Sequence, residues 1–389
     1  MRISLLTEKY PPVVGGGETH LHQLATGLAE RGHSITVMTE PHDGEDVEGY
    51  RSADVQFVPV PGLADACRTL SCYAAIPSLV EALREVEGSD VIHVFNHVPA
   101  MLCSWLRHEL PRPLCVSLFE TLVPGVRVFD LWRRFDVEVA VQRALVGNLA
   151  PDRVVCGSRA YWRWALAAGF DERILRVVPF GTDIAAFSRG RESRARARVE
   201  LGWDGSFVYL VPARPVPRKR LEHAVRAFAA VLREHPEVRL VLTLPTDRSE
   251  LSYVDKLQTE IAALGISGAI DWVRGRGWRD MPELFGASDA VVLPSSHEGF
   301  GIALIEAMAA RVPVITSDIE GHDEIVSRGE TGWLFPPGDI DALRAAMVEV
   351  MGSGPSRTTV AAAELVKESF SLEAMVRGHE QVYAEVAGE

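Results

Sequence analysis

The sequence predicts an α/β protein built from two doubly wound parallel sheets, one after the other. Its 389 residues are enough for about two domains of ordinary size. Hydrophobic residues make up 47% and charged residues 24%, which is typical of globular chains and excludes a disordered, collagen-like or coiled-coil protein. Short apolar runs alternate with stretches of helical period, a pattern typical of strands that helices cover on both faces.

The alternation begins at Ile3 and restarts at Phe207. In each half, short runs rich in Val, Ile and Leu precede segments with apolar residues at helical spacing. The predicted strands are Ile3–Leu6, Ile35–Thr39, Val91–Phe95, Leu114–Phe119, Val154–Cys156 and Arg176–Val178, then Phe207–Val211, Arg239–Thr243, Ala290–Leu293 and Val314–Thr316. The helices predicted between them include His20–Arg31, Ile76–Glu87, Leu221–Glu234, Tyr253–Leu264 and Ile302–Ala310.

The seam between the halves is predicted near Phe187–Arg198, which is polar and rich in arginine. An arginine run of this kind is expected to face solvent. Ser371–Val386 carries apolar residues at helical spacing and predicts a last helix. We therefore predict a first domain over 1–185, a second over 186–370 and a C-terminal helix over 371–389.

The charge balance limits the partners. There are 53 acidic and 40 basic residues, so the net charge is −13, and such a surface repels phosphate backbones. A nucleic-acid partner is therefore not expected, although a local basic pocket for a small phosphate ligand is compatible with this charge. The five cysteines form no CxxC pair, so neither a disulfide framework nor a zinc site is predicted.

No apolar stretch approaches the ~20 residues that cross a bilayer, and the N-terminal MRISLLTEKYPP lacks the pattern of a signal peptide. We expect a cytoplasmic protein. Leu131–Phe135 mixes aromatic side chains with arginines and is expected to be a core-facing helix with exposed arginines. Membrane contact is thus expected to be at most peripheral.

The most informative stretch is Ser295–Glu306, which follows a predicted strand and opens a predicted helix. Gly299 and Gly301 allow close approach of the backbone, and the amides at the helix start attract a phosphate. Glu298 and Glu306 flank this anion site. A carboxylate beside a phosphate is favourable when it accepts hydrogen bonds from neutral hydroxyls, and sugar or ribose hydroxyls supply them.

A second element places Arg214 and Lys219 after the strand Phe207–Val211. The carboxyl ends of parallel strands are where ligands bind in doubly wound sheets. Arg214 can grip a diphosphate in bidentate fashion, and Lys219 can act as a point charge. A basic surface turn is the alternative interpretation of these two residues.

A third element is the glycine turn Gly15–Glu18 before the first predicted helix. It does not have the GxGxxG spacing, so a dinucleotide fingerprint is not supported. No GxxxxGK[ST] loop occurs either, so an ATPase is not supported.

These residues together resemble the family 4 retaining glycosyltransferases of the GT-B fold, the glycosyl transferases group 1. Glu298 and Glu306 have the Glu-x7-Glu spacing inside EGFGIALIEAMAARVPVI, and the Arg214/Lys219 pair supports it. GGGETH, VVPFGTD and EIVSRGETGWLFPPGD add to the resemblance, which covers nearly the whole chain. The resemblance implies two Rossmann-like domains facing a central cleft, with the C-terminal helix crossing back to the first domain.

The resemblance also implies an activity: transfer of a hexose from a nucleoside diphosphate sugar to an acceptor hydroxyl, with retained configuration and with no metal or other cofactor. The implied catalytic residues are Glu298, Arg214 and Lys219. The residues implied to bind the donor are Gly16, Gly17, Arg214, Lys219, Gly275, Arg276, Glu298, Gly299, Phe300, Gly301, Ile302 and Glu306, and those assigned to the acceptor are His20, Asn96, His97 and Glu120. A small polar compound, a glycan or a lipid-linked acceptor is compatible with this pattern.

The sequence departs from the family pattern at three places, of which the first two are Ala213 before Arg214 and Arg220 after Lys219, where the family often has glycine. Arg218, Lys219 and Arg220 form an unusually basic run, which is either an extra phosphate contact or, as we expect, a solvated helix start. Phe119 stands where many relatives have a histidine, and Glu120 is the polar residue expected to act on the acceptor side. A phosphorylase-like or pseudoglycosidic coupling enzyme and a non-catalytic sugar-nucleotide-binding subunit are the alternative functions.

Overall fold

The computed structural model describes residues 1–11, 13, 15–41, 54–64, 72–110, 113–118, 148–244, 250–273, 279–353 and 357–388. They divide into two compact units. The first unit is Met1–Phe180 together with Leu372–Glu389, and the second unit is Gly181–Ser371. Each unit contains one parallel sheet with helices, so the predicted fold class is confirmed.

The sheet of the first unit has seven parallel strands in the order β3-β2-β1-β4-β5-β6-β7. They are β1 (Arg2–Leu6), β2 (Ser34–Thr39), β3 (Val55–Pro59), β4 (Val91–Phe95), β5 (Leu114–Ser117), β6 (Arg153–Cys156) and β7 (Leu175–Val177). β4 is buried along its whole length, as expected for a strand covered on both faces. The strand order reverses between β1 and β4, which makes that edge the topological switch point of the first unit.

Helices cover this sheet. They include α1 (Gly16–Glu30), α2 (Cys72–Glu85), α3 (His97–Trp105) and α4 (Arg159–Ala167). The Ser158 hydroxyl caps α4 by accepting from the Tyr161 amide at 3.0 Å, which explains why the helix begins there.

The sheet of the second unit has six parallel strands in the order β10-β9-β8-β11-β12-β13. They are β8 (Phe207–Val211), β9 (Val238–Thr243), β10 (Ile270–Val273), β11 (Ala290–Leu293), β12 (Val314–Ser317) and β13 (Trp333–Phe335). Here the order reverses between β8 and β11. The loops that follow these two strands therefore meet at the switch point of the second unit, the place where doubly wound sheets bind ligands.

The helices of the second unit follow the same alternation. They are α5 (Ile184–Glu192), α6 (Arg194–Leu201), α7 (Leu221–Glu234), α8 (Leu251–Leu264), α9 (Met281–Ala287), α10 (Ile302–Ala309), α11 (Ile340–Ser353) and α12 (Arg357–Ser369). Gly202 and Gly265, both in the left-handed region, end α6 and α8.

A last helix, α13 (Leu372–Ala387), belongs to the first unit. Its side chains Met375, Val376 and Tyr383 are buried in the core that also contains β1 and α1. The Tyr383 hydroxyl lies 2.7 Å from His93 Nδ1 on β4. Glu385 forms ion pairs with arginines of β6 and β7, so both apolar and charged contacts hold the helix on this unit.

The prediction that the arginine-rich seam faces solvent holds for Arg189 and Arg196, which are exposed, but it was wrong for three other arginines. Arg191, Arg194 and Arg198 donate hydrogen bonds to backbone carbonyls of residues 286–288 at the end of α9. Arg194 and Arg198 also pair with Asp289. The end of a helix leaves carbonyls without intrahelical partners and carries partial negative charge, so guanidinium groups bind there instead of facing water.

Helices α5 and α9 touch through their backbones at Gly190 and Gly286. A Cβ at Gly190 would lie 2.0 Å from the Pro282 carbonyl oxygen, and one at Gly286 would lie 2.1 Å from the Gly190 carbonyl oxygen. We expect Gly190→Ala to lower the free energy of unfolding by about 1–3 kcal/mol, because backbone must move to admit the methyl group. Gly352→Ala in α11 is the control, since a Cβ there meets nothing within 4 Å. Urea unfolding of both variants measures this, and equal stability would contradict it.

Candidate active site

Two loops meet at the switch point of the second unit. One follows β8, carries Arg214 and contains a 3-10 turn over Pro217–Lys219. The other follows β11 and runs to Gly301, where α10 begins. The amide and the hydroxyl of Ser296 both donate to the Arg218 carbonyl oxygen, at 2.8 and 3.1 Å. The two loops are therefore joined directly.

The Glu298 carboxylate is the centre of this junction. Lys219 Nζ and Arg218 form ion pairs with its Oε1 atom, the Arg218 contact being 2.7 Å long. The Ser295 hydroxyl donates to the same oxygen at 3.1 Å. The Glu298 side chain is 11% exposed, so these contacts form largely out of solvent.

These contacts decide the charge of the site. Burial alone would raise the pKa of Glu298, but Lys219 and Arg218 outweigh burial and hold that pKa well below its usual range. Burial lowers the pKa of Lys219, and Glu298 opposes that effect. Because two cations share one carboxylate, the junction has an excess of positive charge that favours an anionic ligand.

Arg214 lies beside this junction on the loop after β8. Its side chain is 52% exposed, and its NH1 atom lies 3.4 Å from Oε1 of Glu250, which is buried. The Thr243 hydroxyl at the end of β9 donates to the Ala213 carbonyl oxygen at 2.6 Å and fixes the start of the loop. The backbone before Arg214 is thus held in place, and the Arg214 side chain extends toward solvent. Sequence reasoning missed Glu250, although its place after the neighbouring strand β9 was a usable signal.

The loop from Gly299 to Ile302 depends on glycines. Gly301 precedes α10 with a φ of 114°, and no side chain caps the helix start. Gly321 has a φ of 91°, and a Cβ there would lie 2.6 Å from the Glu298 carbonyl oxygen. Phe300 is buried against Phe370, with ring centroids 5.5 Å apart. The loop backbone therefore packs closely against the turn at Gly321. The uncapped start of α10 favours binding of an anion.

Glu306 lies in the second turn of α10 and is partly buried. Burial raises its pKa to about 7. In the part of the chain that the structure describes, its carboxylate makes no hydrogen bond or ion pair. It is available to accept hydrogen bonds from ligand hydroxyls, which is the role expected from the sequence.

His322 supports the glycine loop from the sheet side and was not predicted. Thr316 Oγ1 donates to the Leu293 carbonyl oxygen, so the 2.6 Å contact between Thr316 Oγ1 and His322 Nδ1 has the imidazole as donor. Burial lowers the pKa of His322 to about 4, which leaves the ring neutral at neutral pH. A Cβ at Gly301 would lie 3.0 Å from the ring. His322 is thus a neutral spacer between β12 and the loop.

The remaining predicted residues of the first unit are spread over several elements. Gly16 and Gly17 are the first two residues of α1. His20 is buried in α1, with its ring 4.6 Å from that of Phe180, and burial lowers its pKa. His97 is buried as the first residue of α3.

Asn96 lies at the switch point of the first unit, directly after β4. It has a φ of 69°, which is uncommon for a residue other than glycine. Its Nδ2 atom lies 3.0 Å from each carboxylate oxygen of Glu8, which follows β1. Sequence reasoning missed Glu8. The predicted residues Glu120, Gly275 and Arg276, together with Phe119 and the segment Leu131–Phe135, lie outside the described residues.

Among the described residues, no group of three His, Cys, Asp or Glu side chains is arranged to hold a metal ion. None of the described helices has the length and apolar character needed to cross a membrane.

Comparison with known families agrees with this fold. A family model described as Glycosyl transferases group 1 matches residues 193–364, and one described as Glycosyltransferase Family 4 matches residues 14–186. The protein is a glycosyltransferase with the GT-B fold. Within that class, the chain belongs to the family 4 glycosyltransferases, as the sequence motifs indicated.

Similar proteins extend over almost the whole chain. A D-inositol 3-phosphate glycosyltransferase from Acidothermus cellulolyticus is 27% identical, over 96% of this chain and 86% of its own length. A glycogen synthase from Mycobacterium tuberculosis is 24% identical, over 98% and 94%. Among solved structures, Anabaena Alr3699/HepE in complex with UDP-glucose has a TM-score of 0.82 at 22% identity, with 100% of each chain covered. Sucrose-phosphate synthase from Thermosynechococcus elongatus has a TM-score of 0.82 at 24% identity, covering 100% of this chain and 99% of that one.

The raised pKa of Glu306 has a measurable consequence for stability. Between pH 4.5 and pH 7 the folded carboxyl keeps a proton that the unfolded chain loses, so this residue reduces stability as pH rises. We expect Glu306→Gln to raise the free energy of unfolding by about 2–3 kcal/mol at pH 8 and to leave it nearly unchanged at pH 4.5. Denaturant unfolding at both pH values measures this. Glu330→Gln, at an exposed turn, is the control, and a Glu306 variant with no pH-dependent gain would contradict the expectation.

Proposed function

We propose that the protein transfers a hexose from a nucleoside diphosphate sugar to an acceptor hydroxyl, with retention of anomeric configuration and without a metal ion. The observation that carries this proposal is the cluster of Lys219 and Arg218 on Glu298, beside Arg214 and the start of α10. Cations, helix amides and an ionised carboxylate meet at one sheet edge, and a sugar nucleotide has groups that suit all three.

The diphosphate is the leaving group in this reaction. Arg214 and Lys219 bind it with charge-assisted hydrogen bonds, each worth roughly 1.5–3 kcal/mol. The amides at Gly299, Phe300, Gly301 and Ile302 and the α10 dipole add to the stabilisation of the departing charge. These groups do the work that a divalent cation does in metal-dependent transferases.

The two glutamates accept hydrogen bonds from hydroxyls on either side of the diphosphate. The low pKa of Glu298 keeps it ionised, so it accepts hydrogen bonds from the transferring sugar. Glu306 accepts from the ribose. The bond between the anomeric carbon and the phosphate oxygen breaks, the acceptor oxygen bonds to that carbon from the same face, and the acceptor proton passes to the departing diphosphate.

The first unit is proposed to bind the acceptor through His20, Asn96, His97 and Glu120. Support comes from Asn96, whose unusual backbone conformation lies at the switch point of that sheet. Gly16 and Gly17 of the first unit and Gly275 and Arg276 of the second are proposed to contact the donor. The acceptor is a small polar compound, a glycan or a lipid-linked sugar.

The donor is identified by thermal shift with UDP, GDP, ADP and their glucose or mannose forms. A ligand that binds only the folded protein raises its stability as RT ln(1 + [L]/Kd), so the correct donor gives the largest shift. Absence of a shift with all of these nucleotides would overturn the proposal. Donor breakdown that requires inorganic phosphate instead of an alcohol would indicate a phosphorylase-like reaction.

We expect Lys219→Ala to lower affinity for the nucleoside diphosphate and kcat/KM together, by at least about tenfold, because a direct phosphate contact is lost. Glu298→Gln is expected to lower kcat by about a hundredfold while the nucleoside diphosphate still binds, since its contact is with the sugar. Calorimetry and initial rates measure both. Lys256→Ala, on the exposed side of α8, is the matched control. Full activity in both site variants would rule out the assignment.

Metal independence and retention are tested on the wild-type protein. We expect transfer to continue at an unchanged rate in excess EDTA, because protein cations neutralise the leaving group. The proton NMR spectrum of the first product formed should show the same anomeric configuration as the donor. Loss of activity in EDTA that Mg²⁺ or Mn²⁺ restores, or a product of inverted configuration, would refute the corresponding part of the proposal.

A further inference from the structure

Arg218 is part of the cluster at Glu298, but the proposed function gives it no ligand group to bind. It was expected at a solvated helix start; its side chain is 37% exposed, but its NH1 atom lies 2.7 Å from Glu298 Oε1, a contact that was not expected. We propose that Arg218 is a positioning residue that holds the Glu298 carboxylate ionised and in place while Lys219 binds the donor diphosphate. This inference rests on the proposed function and adds a residue to it.

The reason lies in the sharing of one oxygen atom. Lys219 and Arg218 both contact Oε1 of Glu298. When a diphosphate binds, the single charge of Lys219 is divided between the phosphate and the carboxylate. A largely buried carboxylate that loses its only cation is costly, and it takes up a proton or moves. A second cation on the same oxygen removes that cost.

The backbone fixes Arg218 relative to Glu298. The Arg218 carbonyl oxygen accepts two hydrogen bonds from Ser296, two residues before Glu298 on the opposite loop. The guanidinium group therefore starts from a point tied to the loop that it holds. The other cation that acts on Glu298 is Lys219 from the same turn. His322, from the turn after β12, also faces Glu298, but its ring is neutral at neutral pH.

Arg220 provides an internal comparison two residues away. It has the same charge, but it pairs with Glu222 at 3.5 Å, and its side chain is 46% exposed. It makes no contact with Glu298 among the described residues. Arg218→Gln and Arg220→Gln thus remove equal charge from one turn, and only the first removes a contact to the carboxylate.

The test uses the full chain and the nucleotide pair that binds in the thermal-shift screen, beginning with UDP and UDP-glucose. We expect Arg218→Gln to lower kcat/KM at least about tenfold and to weaken binding of the sugar nucleotide more than binding of the nucleoside diphosphate. Arg220→Gln should change both by less than about twofold, and Arg218→Lys should recover part of the loss. Circular dichroism and thermal melting show whether each variant is folded.

A double-mutant cycle separates positioning from direct contact. If Arg218 acts through Glu298, Arg218→Gln has no further effect on kcat/KM in the Glu298→Gln background. An additive loss in the double variant would overturn the inference, as would equal weakening of nucleotide and sugar nucleotide, which would make Arg218 a phosphate ligand. Failure of the proposed function is distinct, because then no nucleotide binds the wild-type protein at all.

Discussion

The candidate site depends on one ionic contact, the grip of Lys219 and Arg218 on the Glu298 carboxylate. Parallel strands bring the loops after β8 and β11 to the same sheet edge, but they do not join them. Two contacts join these loops. Lys219 and Arg218 share one oxygen of Glu298, and Ser296 donates a hydrogen bond to the Arg218 carbonyl oxygen. The same ion pairs keep the nearly buried Glu298 carboxylate ionised. The arrangement of the two loops and the charge of Glu298 therefore depend on the same contacts.

The core strands could be predicted from sequence, and the edge strands were harder. Inner strands such as β4 and β11 are buried on both faces and appear as continuous apolar runs. β3, β10 and β13 lie at sheet edges, where partial exposure interrupts the apolar run or shortens it to three residues, and these three were not predicted. The prediction of solvent exposure was wrong for three arginines of the arginine-rich seam for a related reason. Composition shows that the segment is charged, but it does not show the carbonyl acceptors on α9, which lie about 90 residues further along the chain.

Some residues of the candidate site could likewise be predicted from the sequence, and others could not. Glu298, Lys219 and the glycines could be predicted because their spacing along one or two loops carries the chemistry. Arg218 and His322 could not be assigned, because their roles depend on which way a side chain points and on what a third strand brings beside it. A burial-driven pKa such as that of Glu306 likewise depends on packing around α10, which spacing does not encode.

The position of α13 has a consequence for synthesis of the chain. The helix completes the core of the first unit, yet the whole second unit separates it from the rest of that core in sequence. A ribosome adds about 5–20 residues per second, so roughly 10–40 s pass between synthesis of the N-terminal sheet and synthesis of α13. During that interval the apolar faces of β1 and α1 stay open at the place where Met375 and Tyr383 will bind. All residues of the second unit are therefore synthesised before the core of the first unit can be completed.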